Sequence, residues 1–180
     1  RLYGIISNNK KMKFVQIDPF SGKVTWKIDL SLTGVAHGVS AQIGSNMVVV
    51  ERPGNYLWTI TMSNAYARRW YARPSNLIIH SLESIGENYI AATAYDESSK
   101  QERVVYFPYH TSSTVTSTNV GGGVRQGVST YDEEINRFIH HATVNSKDVI
   151  KMVQFDGVDG RRLEARDYSH LMTSENETNN

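Results

Sequence analysis

Cysteine is absent from the 180-residue chain. Its absence removes disulfide frameworks, thiolate nucleophiles, zinc ribbons and iron–sulfur sites. Long apolar runs are also missing. The longest aliphatic stretch, Met47-Val48-Val49-Val50, is far too short to cross a bilayer, so membrane insertion is not expected. Neither charge sign is in excess, with 19 Lys and Arg against 18 Asp and Glu. A formal net charge of +1 argues against a nucleic-acid partner or an electrostatic membrane binder. No signal peptide is visible at Arg1-Leu2-Tyr3-Gly4, and a chain that opens on Arg suggests processing or excision. With the sequon Asn176-Glu177-Thr178, this leans the expected localisation toward an extracellular or secreted setting.

What the chain has in quantity is β-branched residues. Val, Ile and Thr number 43, against 18 for Leu and Ala together. Such side chains lose rotamer freedom in helices and pack well on a pleated surface. Short runs of them alternate with Gly, Asn, Asp and Ser, and no amphipathic helix is evident. Fifteen strands are predicted: Leu2–Ser7, Met12–Asp18, Lys23–Leu30, Gly38–Gly44, Met47–Pro53, Tyr56–Met62, Ala67–Arg73, Ile79–Ile85, Tyr89–Tyr95, Arg103–Tyr109, Thr114–Asn119, Gly127–Glu133, Arg137–Val144, Val149–Asp156 and Arg161–Tyr168. An all-β sandwich, barrel or propeller follows.

Internal repeats choose among these. Val15-Gln16-Ile17-Asp18, three residues, then Gly22-Lys23 is echoed by Val153-Gln154-Phe155-Asp156, three residues, then Gly160-Arg161. The two aspartates stand 138 residues apart, or three periods of about 46, within the range of propeller blades. Weaker copies fall between them. Trp70 follows Met62 as Trp26 follows Asp18, and Val105-Tyr106-Phe107-Pro108 aligns on Val15-Gln16-Ile17-Asp18. A turn glycine permits positive φ and Asp can bond back to the turn amides, so each copy reads as a hairpin. A second series, in phase with the first, opens each repeat: His37-Gly38-Val39-Ser40, His80-Ser81-Leu82-Glu83, Gln126-Gly127-Val128-Ser129 and His170-Leu171-Met172-Thr173. Each repeat then supplies four antiparallel strands. The expected fold is an all-β propeller of four blades over residues 1–174, its first blade completed by a strand around His170–Ser174, with 175–180 a polar disordered tail. The alternative is a segment of a six- to eight-bladed ring; a generic sandwich leaves the 138-residue echo unexplained.

The segment Ile17-Asp18-Pro19-Phe20-Ser21-Gly22-Lys23-Val24-Thr25-Trp26 resembles the blade motif of pyrroloquinoline-quinone-type and WD-like propeller repeats, apolar-Asp-x-x-[Thr/Ser]-Gly-Lys-x-x-Trp. Trp70 keeps the Trp position without the Asp or Gly, and Glu164 stands where the last copy would place Trp. The resemblance implies a blade fold and no quinone cofactor. The vicinal cysteine pair of the quinone dehydrogenases cannot exist here.

In propellers the innermost strand begins near the mouth of the central channel. His37, His80, Gln126 and His170 therefore form a candidate ligand-binding ring, and imidazoles there could bind a transition metal. No acidic residue in the sequence announces itself as a partner orienting these histidines, and a His opening an inner strand often only bonds a turn. No resident metal or cofactor is assigned. His140 and His141 face opposite sides of a strand, one packed and one at the surface, and His110 is expected to face solvent. Asp132-Glu133-Glu134 reads as a solvated corner, and Gly121-Gly122-Gly123 as a link between blades without the Lys-Ser/Thr of a phosphate loop. No nucleophile elbow or paired-carboxylate spacing marks a catalytic site.

The aromatic content of the second repeat is more suggestive. Tyr66, Trp70 and Tyr71, interleaved with Arg68 and Arg69, are candidates for partner or sugar binding, although for Trp58 and Trp70 filling the space between sheets is the favoured reading. Alternation places Trp70 and Tyr71 on opposite faces of one strand. The functional expectation is a non-catalytic module that engages a protein partner or assembles with copies of itself. The alternative is a ligand-binding propeller, holding carbohydrate on the Trp/Tyr cluster or a metal on the axial histidines.

Overall fold

The computed structural model describes residues 1–8, 11–32, 34–35, 39–52, 54, 56–72, 76–110, 115–120, 124–144 and 149–167. Among them regular structure is entirely β. The strands are β1 Leu2–Asn8, β2 Lys11–Ile17, β3 Val24–Leu30, β4 Ser40–Ile43, β5 Asn46–Glu51, β6 Tyr56–Thr61, β7 Tyr66–Tyr71, β8 Leu77–Ile85, β9 Tyr89–Asp96, β10 Gln101–Pro108, β11 Thr116–Asn119, β12 Val124–Asp132, β13 Arg137–Val144, β14 Val149–Asp156 and β15 Arg162–Asp167. All fifteen expected strands are present, displaced by a few residues at most. Among the described residues no helix is long and apolar enough to cross a membrane.

The strands form four antiparallel meanders in which chain neighbours pair: β1-β2-β3, β4-β5-β6-β7, β8-β9-β10-β11 and β12-β13-β14-β15. Three sheets thus have four strands and the first has three, as the phase of the repeat requires. The strand expected around His170–Ser174 and the tail 175–180 lie outside the described residues. By contacts the chain divides into two compact units, Arg1–Ser75 and Asn76–Asn180, each holding two sheets.

In the first unit the core is formed by Phe14, Leu30, Leu32, Val49, Ile60 and Met62, with Tyr3, Trp26 and Trp58 packed against it. In the second, Val104, Tyr106, Phe138, Val153 and Phe155 meet where β12 packs on β8, β9 and β10. Burying each such side chain contributes about 1.5–3 kcal/mol. Burial differs between the strands of a meander. Central β5 is buried over its last four residues, whereas last-in-line β7 has no buried residue. Apolar residues on both faces of the central strands, and polar ones on the last, therefore set the layering.

The 138-residue echo is a repeated hairpin. In the first copy the Asp18 amide donates to the Lys23 carbonyl (2.9 Å) and the Gly22 amide to the Asp18 carbonyl (2.8 Å). In the last copy Asp156 donates to Arg161 and Gly160 to Asp156, both at 2.9 Å. Each aspartate also accepts from the amide two residues on, Phe20 or Val158, at 2.8 Å. Gly22 and Gly160 both take positive φ, 67° and 71°. In the second copy Ala65 (φ 54°) takes the glycine's place and its amide donates to Thr61. The counterpart of Asp18 is therefore Thr61, one residue before the expected Met62.

Candidate functional site

The aromatic and arginine cluster expected in the second repeat lies on β6 and β7 of the first unit. Tyr66, Arg68 and Arg69 are exposed, with Tyr66 at 64%; Trp70 and Tyr71 are half-buried. Opposite residues on paired strands share a face, and Arg69 stands opposite Trp58. Its guanidinium accordingly lies 4.0 Å over the Tyr56 ring and 5.6 Å from the Trp58 ring. The indole Nε1 of Trp58 donates to Glu51 Oε2 at 2.7 Å, and Arg68 Nε donates to Thr59 Oγ1 at 3.4 Å. Two of the rings are thus already engaged by the protein itself.

Alternation misplaces Trp70. The pairing passes from Trp58–Arg69 to Leu57–Tyr71, which leaves Trp70 as the extra residue of a bulge. A bulge breaks the two-residue alternation, and the Trp70 and Tyr71 rings meet edge to face, 4.7 Å apart. Burial raises the Tyr71 phenol above its ordinary pKa. In the first copy the corresponding slip comes earlier, at Thr25, between Ile17–Val24 and Gln16–Trp26. Trp26 and Trp70 therefore occupy different register positions despite their similar spacing.

An open groove of about 440 Å³ runs beside Tyr66, lined by Ile28, Leu30 and Ser31 on one side and Asn64, Ala65 and Tyr66 on the other. Asp29, Ser31 and Asn64 make its walls partly polar, while Ile28 and Tyr66 leave apolar surface accessible, at 38% and 64% exposed. Leu30 and Ala65 close its floor as buried residues. Among the described strands β3 pairs only with β2. Phe20, at the tip of the β2–β3 hairpin, is 99% exposed.

Of the candidate ring, His37 and His170 lie outside the described residues, and Gln126 is described in its backbone alone. His80 and Gln126 both fall at irregularities in their strands, between Ile79 and Ser81 and between Val124 and Gly127. A bulge re-aims a side chain, and His80 Nε2 comes to 3.4 Å from Glu102 Oε1 on β10. The contact is close but lacks hydrogen-bonding geometry, so this buried nitrogen has no bonded partner. Glu102 is 2% exposed and its Oε2 is also unpartnered. His140 on β13 is fully buried, as expected for one of the adjacent pair, while His141 is exposed. His140 Nδ1 bonds Ser129 Oγ at 2.8 Å, and its Nε2 has no partner. Burial drives the His140 pKa down to about 4, against a smaller upward pull from Glu102. Among the described residues no three His, Asp or Glu side chains are placed to hold a metal ion. Glu102 is the residue that sequence reasoning missed. Its one signal is the i, i+2, i+4 row it shares with the core residues Val104 and Tyr106.

The other positions fall as the sequence suggests. His110 is exposed, and Asp132 Oδ1 accepts from the amides of Glu134 (3.1 Å) and Ile135 (3.4 Å) at an exposed corner.

No family model and no curated protein matches the chain. Solved structures do. The chain is similar to apo AztD from Citrobacter koseri, with a TM-score of 0.54 and 13% identity over 91% of this chain and 46% of that one. A further Citrobacter koseri AztD structure gives 0.54 and 14%, over 91% and 45%. The β-propeller domain of Myceliophteria thermophila Cps50 (Swd1) gives 0.54 and 10%, over 90% of this chain and 53% of that one. At such identity the likeness speaks for fold alone, and the fold is that of a β-propeller, its meanders being blades. The chain spans about half the length of the structures it matches.

Proposed function

We propose that the chain is a non-catalytic β-propeller module that binds a partner protein along the outer surface of its first unit. The observation that carries this reading is the groove between β3 and the β6–β7 turn, flanked by exposed Ile28 and Tyr66. Exposed apolar side chains rimming a concavity mark interaction surfaces. An outer strand also offers backbone donors and acceptors to an extended peptide, which adds to the sheet while its side chains enter adjacent hollows. The partner is therefore an extended segment that places an apolar side chain between Ile28 and Tyr66.

Selection from a displayed library of random dodecapeptides tests the reading. Enriched peptides should carry an apolar residue and should bind at least about tenfold more weakly to Ile28→Lys and to Tyr66→Ser, the loss expected on removing an anchor. No enrichment, or enrichment that both variants retain, overturns it. Self-association would appear instead as a concentration-dependent mass by sedimentation that the same substitutions abolish.

A further inference from the structure

The second unit groups two buried ionisable side chains, Glu102 and His140, with the half-buried His80, and the binding surface does not use them. Glu102 shares its face of β10 with Val104 and Tyr106, and Phe138, His140, Val153 and Phe155 belong to the sheet packed against it. The polar group therefore continues the apolar seam between β8–β11 and β12–β15. Three of its atoms are buried without a partner: His80 Nε2, Glu102 Oε2 and His140 Nε2. Unsatisfied buried polar atoms are costly, and adding a charge to one of them is costlier still.

We propose that His80, Glu102 and His140 form a proton-sensitive lock on this seam: while His140 is neutral the two sheets stay closed, and its protonation opens them. The imidazole is held by a single bond, to Ser129 across the β12–β13 ladder. Its other cross-strand neighbour, Val153 on β14, is apolar. The titratable groups acting on it are Glu102 from β10, His80 from β8 and His141 beside it, and among the described residues none acts from β9, β11, β14 or β15. A proton on His140 would have one counter-charge, Glu102, which already lies against His80. The buried site therefore resists the proton, and opening the seam to water removes that resistance.

The direction follows from linkage. With its folded pKa depressed by burial to about 4 from an ordinary 6.5, His140 binds its proton more readily in the open state. The closed state is fully favoured above about pH 6.5 and loses ground as pH falls toward about 4. Over that interval the closed-to-open ratio should fall by about two orders of magnitude, the value of a shift of this size.

Amide hydrogen exchange on the full chain, corrected for intrinsic rates, measures the opening residue by residue. Protection at Val104, Tyr106 and Phe138 should fall between about pH 6.5 and about pH 4.5, while Val49 and Ile60 in the first unit keep theirs. His140→Phe should abolish the pH dependence at the seam. A histidine NMR titration of the unmodified protein serves where that variant does not fold: His140 should stay neutral well below pH 6, and Glu102→Gln should move its midpoint lower still. Uniform loss of protection across both units, an unchanged profile in His140→Phe, or a His140 midpoint near 6.5 overturns the lock.

Discussion

Each unit buries a glutamate, and the two are treated differently. Glu51, 7% exposed at the end of β5, accepts the Trp58 indole proton at 2.7 Å and so ties a core aromatic in place. Glu102, 2% exposed on β10, faces His80 at 3.4 Å without a hydrogen bond and leaves its second oxygen unpartnered. Around them the apolar seams are alike: Phe14 between Tyr3 and Trp26 in the first unit, Phe138 between Tyr106 and Phe155 in the second. The same sheet-on-sheet packing can thus carry a buried carboxylate either hydrogen-bonded to a core ring or with an oxygen left without a hydrogen-bond partner.

The largest expected effect addresses the likeness of the seams. Phe14→Ala and Phe138→Ala each remove a fully buried ring, and each should cost about 3–5 kcal/mol in urea unfolding. A cost below about 1 kcal/mol at either position would show that its seam is loosely packed and the two units are not comparable. Next come the glutamates themselves. Glu51→Leu strands the Trp58 N–H and should cost about 1–3 kcal/mol, whereas Glu102→Leu breaks no hydrogen bond and should cost less at neutral pH. Equal losses at both sites would erase the distinction drawn between them.

Much of this architecture could be read in the residues. Fifteen short runs, most of them β-branched or aromatic, became fifteen strands, and the echo of Asp18 and Gly22 in Asp156 and Gly160 became two hairpins with the same bonds. Local chemistry governs those features, so spacing reveals them. Features decided by tertiary packing were hidden. Glu102 stands in the polar run Lys100-Gln101-Glu102-Arg103, just ahead of the expected strand Arg103–Tyr109, yet it is buried. Trp70 repeats the spacing of Trp26, but the bulge lies at Thr25 in one hairpin and at Trp70 in the other. A count of residues cannot locate an unpaired residue within a ladder. Of the binding surface, Tyr66 was legible as an aromatic beside arginines. Its partner across the groove, Ile28, was not, because alternation alone assigns a strand isoleucine to the core.

The smallest expected effect tests how far the repeated hairpin is the same object in both units. Gly22 and Gly160 have nearly equal positive φ, so an alanine at either position incurs the left-handed penalty, about 1–2 kcal/mol. Their surroundings differ. A Cβ added at Gly22 meets nothing within 4 Å, whereas one at Gly160 would lie 3.1–3.2 Å from the ring of Tyr106. That ring is 2% exposed, and its hydroxyl donates to the Asp156 carbonyl of the same hairpin at 3.1 Å. It cannot withdraw without loosening the bond that fastens β10 to the turn. Gly160→Ala should therefore cost more than Gly22→Ala by about 1 kcal/mol or more, the scale of overpacking in a filled site. Urea denaturation of the two variants measures the difference. Tyr106→Phe should reduce it little, because the ring remains, whereas Tyr106→Leu should narrow it. If the two glycines prove equally sensitive, the hairpin is set by its own backbone in both units and its contact with the second seam contributes nothing.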